Sequence, residues 1–168
     1  MRMSSDAKLY RLAERVGRKL LAARRRLVTA ESCTAGWIAK AVTDVPGSSN
    51  WLECGYVTYS NDAKMRDLGV PSGTLRAHGA VSEAVVREMA RGALRRTGAD
   101  IAVAVSGIAG PDGGVPGKPV GTVWFCVARR RGRSFHFESL VRHFRGNREA
   151  VRRKSVEQAL KLVLRAAS

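Results

Sequence analysis

The chain predicts an α/β fold, a three-layer α/β/α sandwich around a mixed sheet, and three observations carry that prediction. Helical and strand-like periodicities alternate along the 168 residues. Residues 100–105 form an unbroken apolar run bounded by turn residues, the mark of a strand covered on both faces. Two further strand-like runs, 120–128 and 134–143, follow each other across an arginine-rich turn, which adds an antiparallel hairpin to strands that otherwise alternate with helices.

Each element has its own signal. Over residues 6–23, Leu9, Leu12, Val16 and Leu20 recur with charges between them, the period of a helix resting on a sheet. Residues 26–30 read as a short strand that runs into a turn at Ser32, and 34–43 as a helix stopped by Asp44-Val45-Pro46-Gly47. The β-rich run 50–60 is interrupted by Gly55, and Asn61 or Asp62 then caps a short helix carrying Lys64 in its first turn. After the Leu68-Gly69-Val70-Pro71 break, apolar pairs across 82–97 give a packed helix that Gly98 stops. The buried strand 100–105 empties into a loop, 106–117, too rich in glycine and proline for regular structure. A helix over 147–166, capped by Asn147 and apolar at Val151, Val156, Ala159, Leu160 and Val163, closes the pattern.

Size and composition bound the rest. One domain spanning 1–168 is expected, with 45% hydrophobic and 26% charged residues, too apolar for a disordered chain. No apolar run reaches the roughly 20 residues that cross a bilayer, and the start Met1-Arg2-Met3-Ser4-Ser5-Asp6 lacks a secretory apolar stretch, so a cytoplasmic protein without membrane contact is expected. Cys33, Cys54 and Cys126 are too widely spaced for paired zinc ligands, and no metal site is expected. The formal charge of +16, gathered in clusters such as Arg24-Arg25-Arg26, Arg129-Arg130-Arg131 and Arg152-Arg153-Lys154, permits polyanion binding without requiring it.

The chemistry concentrates in two stretches. Thr29-Ala30-Glu31-Ser32-Cys33-Thr34-Ala35-Gly36 sets a serine where a strand gives way to a helix, a place that exposes the hydroxyl and offers amides to a developing anion. The ordinary use of such a serine is as an N-cap. Tyr59-Ser60-Asn61-Asp62-Ala63-Lys64 supplies a lysine and a tyrosine, able to take a proton from a hydroxyl where no histidine is at hand. A free lysine, with pKa about 10.4, is protonated at neutral pH; burial and a helix N-terminus would both lower it, and an Asp62 carboxylate facing the amine would oppose them. Ser48 and Ser49 follow a Pro-Gly turn as turn residues, or one relays a proton as in serine-serine-lysine amidases. The glycines after Ser106 let amides approach a ligand closely, and Lys118, Arg145 and Arg148 carry charge suited to an anion.

Five ordered stretches together resemble the CinA carboxy-terminal domain family over nearly the full length. They are Ala30-Glu31-Ser32-Cys33-Thr34-Ala35-Gly36, Pro46-Gly47-Ser48-Ser49, Tyr56-Val57-Thr58-Tyr59-Ser60-Asn61-Asp62-Ala63-Lys64, the glycine loop Ser106-Gly107-Ile108-Ala109-Gly110-Pro111-Asp112-Gly113-Gly114, and Lys118-Pro119-Val120-Gly121-Thr122-Val123. The resemblance implies hydrolysis of the carboxamide of nicotinamide mononucleotide to nicotinic acid mononucleotide and ammonia, without cofactor or metal. It implies Ser32 as nucleophile, Lys64 as general base, Tyr59 as a hydrogen-bonding partner beside them and Ser48 as a relay. Thr34, Gly36, Ser106, Gly107, Gly110 and Arg145 are the implied substrate-binding residues, a small-molecule nucleotide the partner, and a homo-oligomer the assembly. Some family members carry a molybdopterin-binding-like amino-terminal domain, for which these 168 residues leave no room.

Two alternatives stand beside this reading. Cys33 at a helix start could be the nucleophile as a thiolate. A nucleic-acid-binding module would use the basic surface instead, with affinity falling steeply in salt, although no recognisable nucleic-acid motif accompanies the arginine clusters.

Overall fold

The computed structural model describes residues 5–168; the first four, part of the stretch expected to lack a signal segment, lie outside the described residues. The elements run α1 Ser5–Ala22, β1 Leu27–Glu31, α2 Trp37–Thr43, a 3-10 turn Ser48–Asn50, β2 Leu52–Val57, α3 Asn61–Leu68, α4 Ser72–His78, α5 Glu83–Arg96, β3 Ile101–Gly107, β4 Thr122–Arg131, β5 Ser134–His143 and α6 Arg148–Ala166. The strands form one five-stranded sheet in the order β2-β1-β3-β4-β5. β1 runs parallel to β2 and β3, while β4 runs antiparallel to β3 and β5. The sheet is therefore mixed, and helices cover both faces, as the alternating periodicities predict.

The two faces are packed differently. On one, Ile101, Val103 and Val105 of β3 meet the apolar stripe Leu9, Leu12, Val16 and Leu20 of α1 together with α2 and α6. Each leucine withdrawn from water there contributes about 2 kcal/mol. On the other, Ala102 and Ala104 of β3 face α5, α3 and α4. Small side chains on the sheet let α5 lie close, and α5 also crosses the end of α3 at Gly92, where a Cβ would stand 1.9 Å from the Leu68 carbonyl oxygen. Only glycine fits that crossing.

Several boundaries differ from the sequence expectation for identifiable reasons. α2 starts at Trp37 rather than 34 because Ala35 and Gly36 take φ of +49° and +91°, which breaks the helical path. The cap of α3 is Ser60, whose Oγ accepts from the Ala63 amide at 3.0 Å, and not Asn61 or Asp62. Helix α4 lies between the Leu68-Gly69-Val70-Pro71 break and the helix expected from residue 82, where the sequence predicts no element, and Pro71 at its N-cap opens it. The hairpin turn narrows to Gly132 and Arg133, since 129–131 continue β4. Asn147 does cap α6, accepting from the Ala150 amide at 2.9 Å. Part of the clustered arginine is structural: Arg130 reaches the carbonyls of Leu94, Thr97 and Ala99 and closes the C-terminal end of α5. No helix among the described residues is long and apolar enough to cross a membrane.

Candidate active site

From β1 the chain turns towards β2, and from β3 it turns towards β4, so a crevice opens at the carboxyl ends of these two neighbouring strands. A cleft of about 290 Å³ occupies it, with Ser32 and Cys33 on one side, Ser106 to Gly110 on the other, and Tyr59, Lys64, Val81, Asp112 and Arg148 around them. Wider troughs of about 520 and 600 Å³ lie between α4 and α5 and between α1 and α6, and neither contains Ser32 or Lys64.

Lys64 sits in the first hydrogen-bonded turn of α3, its amide donating to the Ser60 carbonyl at 3.1 Å. Its side chain is 1% exposed. Nζ donates to Ser32 Oγ at 3.0 Å, to the Thr58 carbonyl at 2.7 Å and to the Tyr59 carbonyl at 3.2 Å. Burial lowers its pKa from 10.5 to about 8, with the neighbouring Cys33 thiol acting weakly the other way. Asp62 is exposed and makes no contact with the amine, so the opposing carboxylate is not in place. An ammonium would donate all three bonds; a neutral amine keeps the two to carbonyls and turns its lone pair to the serine hydroxyl.

Ser32, 8% exposed, does not cap α2. Its own amide donates to the Val105 carbonyl at 3.0 Å, and the Cys33 amide is the first beyond it that joins no backbone carbonyl. The cap is instead Glu31, fully buried at the end of β1: its carboxylate accepts from Ile38 N at 2.8 Å, Ala39 N at 3.1 Å, Thr34 Oγ1 at 2.7 Å and Thr29 Oγ1 at 3.1 Å. Arg152 of α6 holds the same turn from behind, Nε donating to the Cys33 carbonyl at 3.0 Å and an Nη to the Thr34 carbonyl at 3.3 Å.

At the mouth, Arg148 from the first turn of α6 donates to the Gly110 carbonyl at 2.8 Å and to the Tyr59 hydroxyl at 3.1 Å. Tyr59 is 59% exposed. Its phenol therefore belongs to the mouth, and only its carbonyl touches Lys64. Ser106, Gly107 and Gly110 all line the cleft.

The remaining candidates stand elsewhere. Ser48 lies in the 3-10 turn next to Trp51, whose carbonyl meets Leu27 at the start of β1. Ser32 is at the other end of that strand, roughly 15 Å along it, so Ser48 is not placed to relay a proton. Thr34 is wholly buried with its hydroxyl on Glu31, and Gly36 faces Val57 rather than the cleft. Arg145 points into solvent, only its carbonyl being engaged, by Lys154. Lys118 donates to the His78 carbonyl at 2.7 Å. Cys33 lines the cleft, but burial pushes its thiol up to about 11, which disfavours a thiolate nucleophile. No group of three or more potential metal-ligating side chains occurs among the described residues.

Comparison with known proteins bears on what such a cleft is for. The family described as CinA C-terminal domain matches residues 9–167. The chain belongs to the CinA C-terminal domain family. It is 54% identical over 158 residues to the nicotinamide-nucleotide amidohydrolase PncC of Escherichia coli K12, covering 93% of each chain. The PncC protein of Pseudomonas putida is 55% identical over 149 residues, with 89% of this chain and 91% of that one covered. Among solved structures, the competence/damage inducible protein CihA from Agrobacterium tumefaciens superposes with a TM-score of 0.90 at 39% identity, covering 100% of this chain and 99% of that one.

Within this CinA domain, two residues that shape the cleft carry no sign of it in the sequence, and a third, Arg148, is offered there only alongside Lys118 and Arg145. Glu31 sits inside a quoted motif but looks like an alternating strand residue, and only its burial with four donors reveals its use. Arg152 is hidden in the Arg152-Arg153-Lys154 cluster, which reads as solvated charge. Arg148 was one of three interchangeable cations; its place in the first turn of α6, just after the Asn147 cap, is the signal that could have separated it from Arg145.

Proposed function

We propose that this protein hydrolyses the carboxamide of nicotinamide mononucleotide to nicotinic acid mononucleotide and ammonia, with Ser32 as nucleophile and Lys64 as general base. The observation that carries the reading is the 3.0 Å contact between Lys64 Nζ and Ser32 Oγ, made by an amine whose other two partners are carbonyls. It is supported by the 54% identity to a protein named nicotinamide-nucleotide amidohydrolase.

The neutral Lys64 amine takes the Ser32 hydroxyl proton as Oγ attacks the carboxamide carbon. The carbonyl electron pair moves onto oxygen, where the Cys33 amide is the nearest donor of the serine turn still without a backbone acceptor. Collapse breaks the C–N bond, the leaving nitrogen takes the proton from Lys64, and ammonia departs from an acyl ester on Ser32. Water, deprotonated by Lys64, attacks that ester; the acid is released and Ser32 recovers its proton from Lys64. Arg148 at the mouth supplies a guanidinium for the phosphate, and the glycines after Ser106 form the wall against which the nucleotide lies.

Ammonia release from nicotinamide mononucleotide by the wild type and by Ser32→Ala tests this. Removal of the nucleophile lowers turnover by at least about 10³-fold with an unchanged circular dichroism spectrum. Turnover by Ser32→Ala close to the wild-type rate would overturn it.

A further inference from the structure

The turn after Ser32 is gripped by two residues, Arg152 and Glu31, that do not line the cleft. Arg152 draws the Cys33 and Thr34 carbonyls towards α6, with its guanidinium stacked 5.4 Å from the ring of Trp37, the first residue of α2. In a planar trans peptide the N–H points opposite to the C=O, so holding the Thr34 carbonyl aims the Ala35 amide the other way. That amide meets the Ser32 carbonyl at 3.0 Å, which in turn sets the peptide plane carrying the Cys33 N–H. From the end of β1 Glu31 holds Thr34 Oγ1 and, one to each oxygen, the Ile38 and Ala39 amides. Between the two grips, Ala35 is kept at φ +49°, a conformation that costs a non-glycine residue about 1 kcal/mol and persists only where its surroundings over-determine it.

We propose that Arg152 and Glu31 are positioning residues that fix the peptide planes of the Ser32 turn, so that the serine Oγ and the Cys33 N–H face one point in the cleft. The proposal rests on the reading of Ser32 as nucleophile. Neither side chain touches the substrate, and neither is exchangeable for its nearest relative. A lysine at 152 keeps charge and stem but offers a point donor where two carbonyls need a planar fork. A glutamine at 31 sets an NH2 group against either the Ile38 or the Ala39 amide, both of which can only donate.

The test compares Arg152→Lys, Arg152→Ala and Glu31→Gln with the wild type in ammonia release from nicotinamide mononucleotide, together with thermal unfolding. In each variant kcat falls by roughly ten- to a hundred-fold, KM stays within about two-fold, and the pH midpoint governed by Lys64 does not move. Guanidinium ion at non-denaturing concentration restores Arg152→Ala several-fold, whereas ethylammonium, of the same charge, does not. Wild-type kcat in Arg152→Lys and Glu31→Gln, a loss carried by KM, or a shifted midpoint overturns the proposal. A wild type that releases no ammonia condemns the proposed function instead; amide hydrogen exchange across residues 32–36 then decides the positioning, rising in Arg152→Ala and Glu31→Gln if the grip exists and matching the wild type if it does not.

Discussion

Lys64 Nζ and Ser32 Oγ stand 3.0 Å apart, and the lysine is held there by the carbonyls of Thr58 and Tyr59 rather than by any carboxylate. A buried cation with only neutral acceptors is disfavoured relative to water, which is why its pKa falls to about 8. The contacts place the base, and the burial that goes with them lowers its pKa.

Activity should therefore rise with pH. The proposed base works only as the neutral amine, so kcat/KM climbs about tenfold per pH unit below the midpoint and levels off above it. With Lys64 at about 8 the profile climbs up to about pH 8 and is level above it. Initial rates from pH 6 to 10 check this, and a flat profile across that range would remove Lys64 from the role.

Stability should respond to the same group. Its folded pKa of about 8 lies below the 10.5 of the free side chain, so between these values the unfolded chain binds the extra proton and stability rises with pH. Below about 8 both states are protonated and the full cost of the buried ammonium, about 3 kcal/mol, is present. Lys64→Met fills the same space without the charge. It should be inactive yet more stable than the wild type at pH 7, with the difference shrinking towards pH 10; equal denaturant midpoints at both pH values would contradict the account.

The contrast between what sequence made legible and what it hid follows from the range of the interactions. Strand and helix periodicities are local, so the sandwich and the two strand-end loops are legible in the sequence, whereas the pairing of Ser32 with Lys64 is implied only by the resemblance to the CinA family. Ser48 misled because a Pro-Gly-Ser-Ser turn says nothing about which end of β1 it abuts; that is fixed by the register of Leu27 with Leu52. Arg152 was invisible because its acceptors lie more than a hundred residues earlier and are carbonyls, which leave no mark in a sequence. Helix α4 carries little signal because Pro71, Gly69, Gly73 and Gly79 outweigh its short apolar content, and the packing of Leu75 into the α5 side of the core sustains it.

Cys33 offers a clean separation between the two nucleophiles at this strand end. With its thiol pushed up to about 11 by burial, only about one molecule in a thousand carries a thiolate at pH 8. Cys33→Ala should keep kcat within about two-fold and lose about 1 kcal/mol of stability from the missing sulfur. Loss of turnover in a folded Cys33→Ala protein would reopen the thiol mechanism.

Two arginines near the start of α6 are predicted to differ sharply. Arg148 reaches into the mouth, bonded to Gly110 and Tyr59, while Arg145 points into solvent. A phosphate meeting the Arg148 guanidinium gains charge-assisted bonds, so Arg148→Ala should raise KM for nicotinamide mononucleotide by roughly ten-fold or more. The riboside, which has no phosphate, should lose much less. Because Arg148 also ties the Gly110 carbonyl to the Tyr59 hydroxyl, Tyr59→Phe serves as the control that cuts only that tie: if the guanidinium acts on the phosphate, Tyr59→Phe changes KM for both compounds by similar small factors. Arg145→Ala should leave both KM values unchanged, and a larger effect there than at position 148 would place the phosphate outside this cleft.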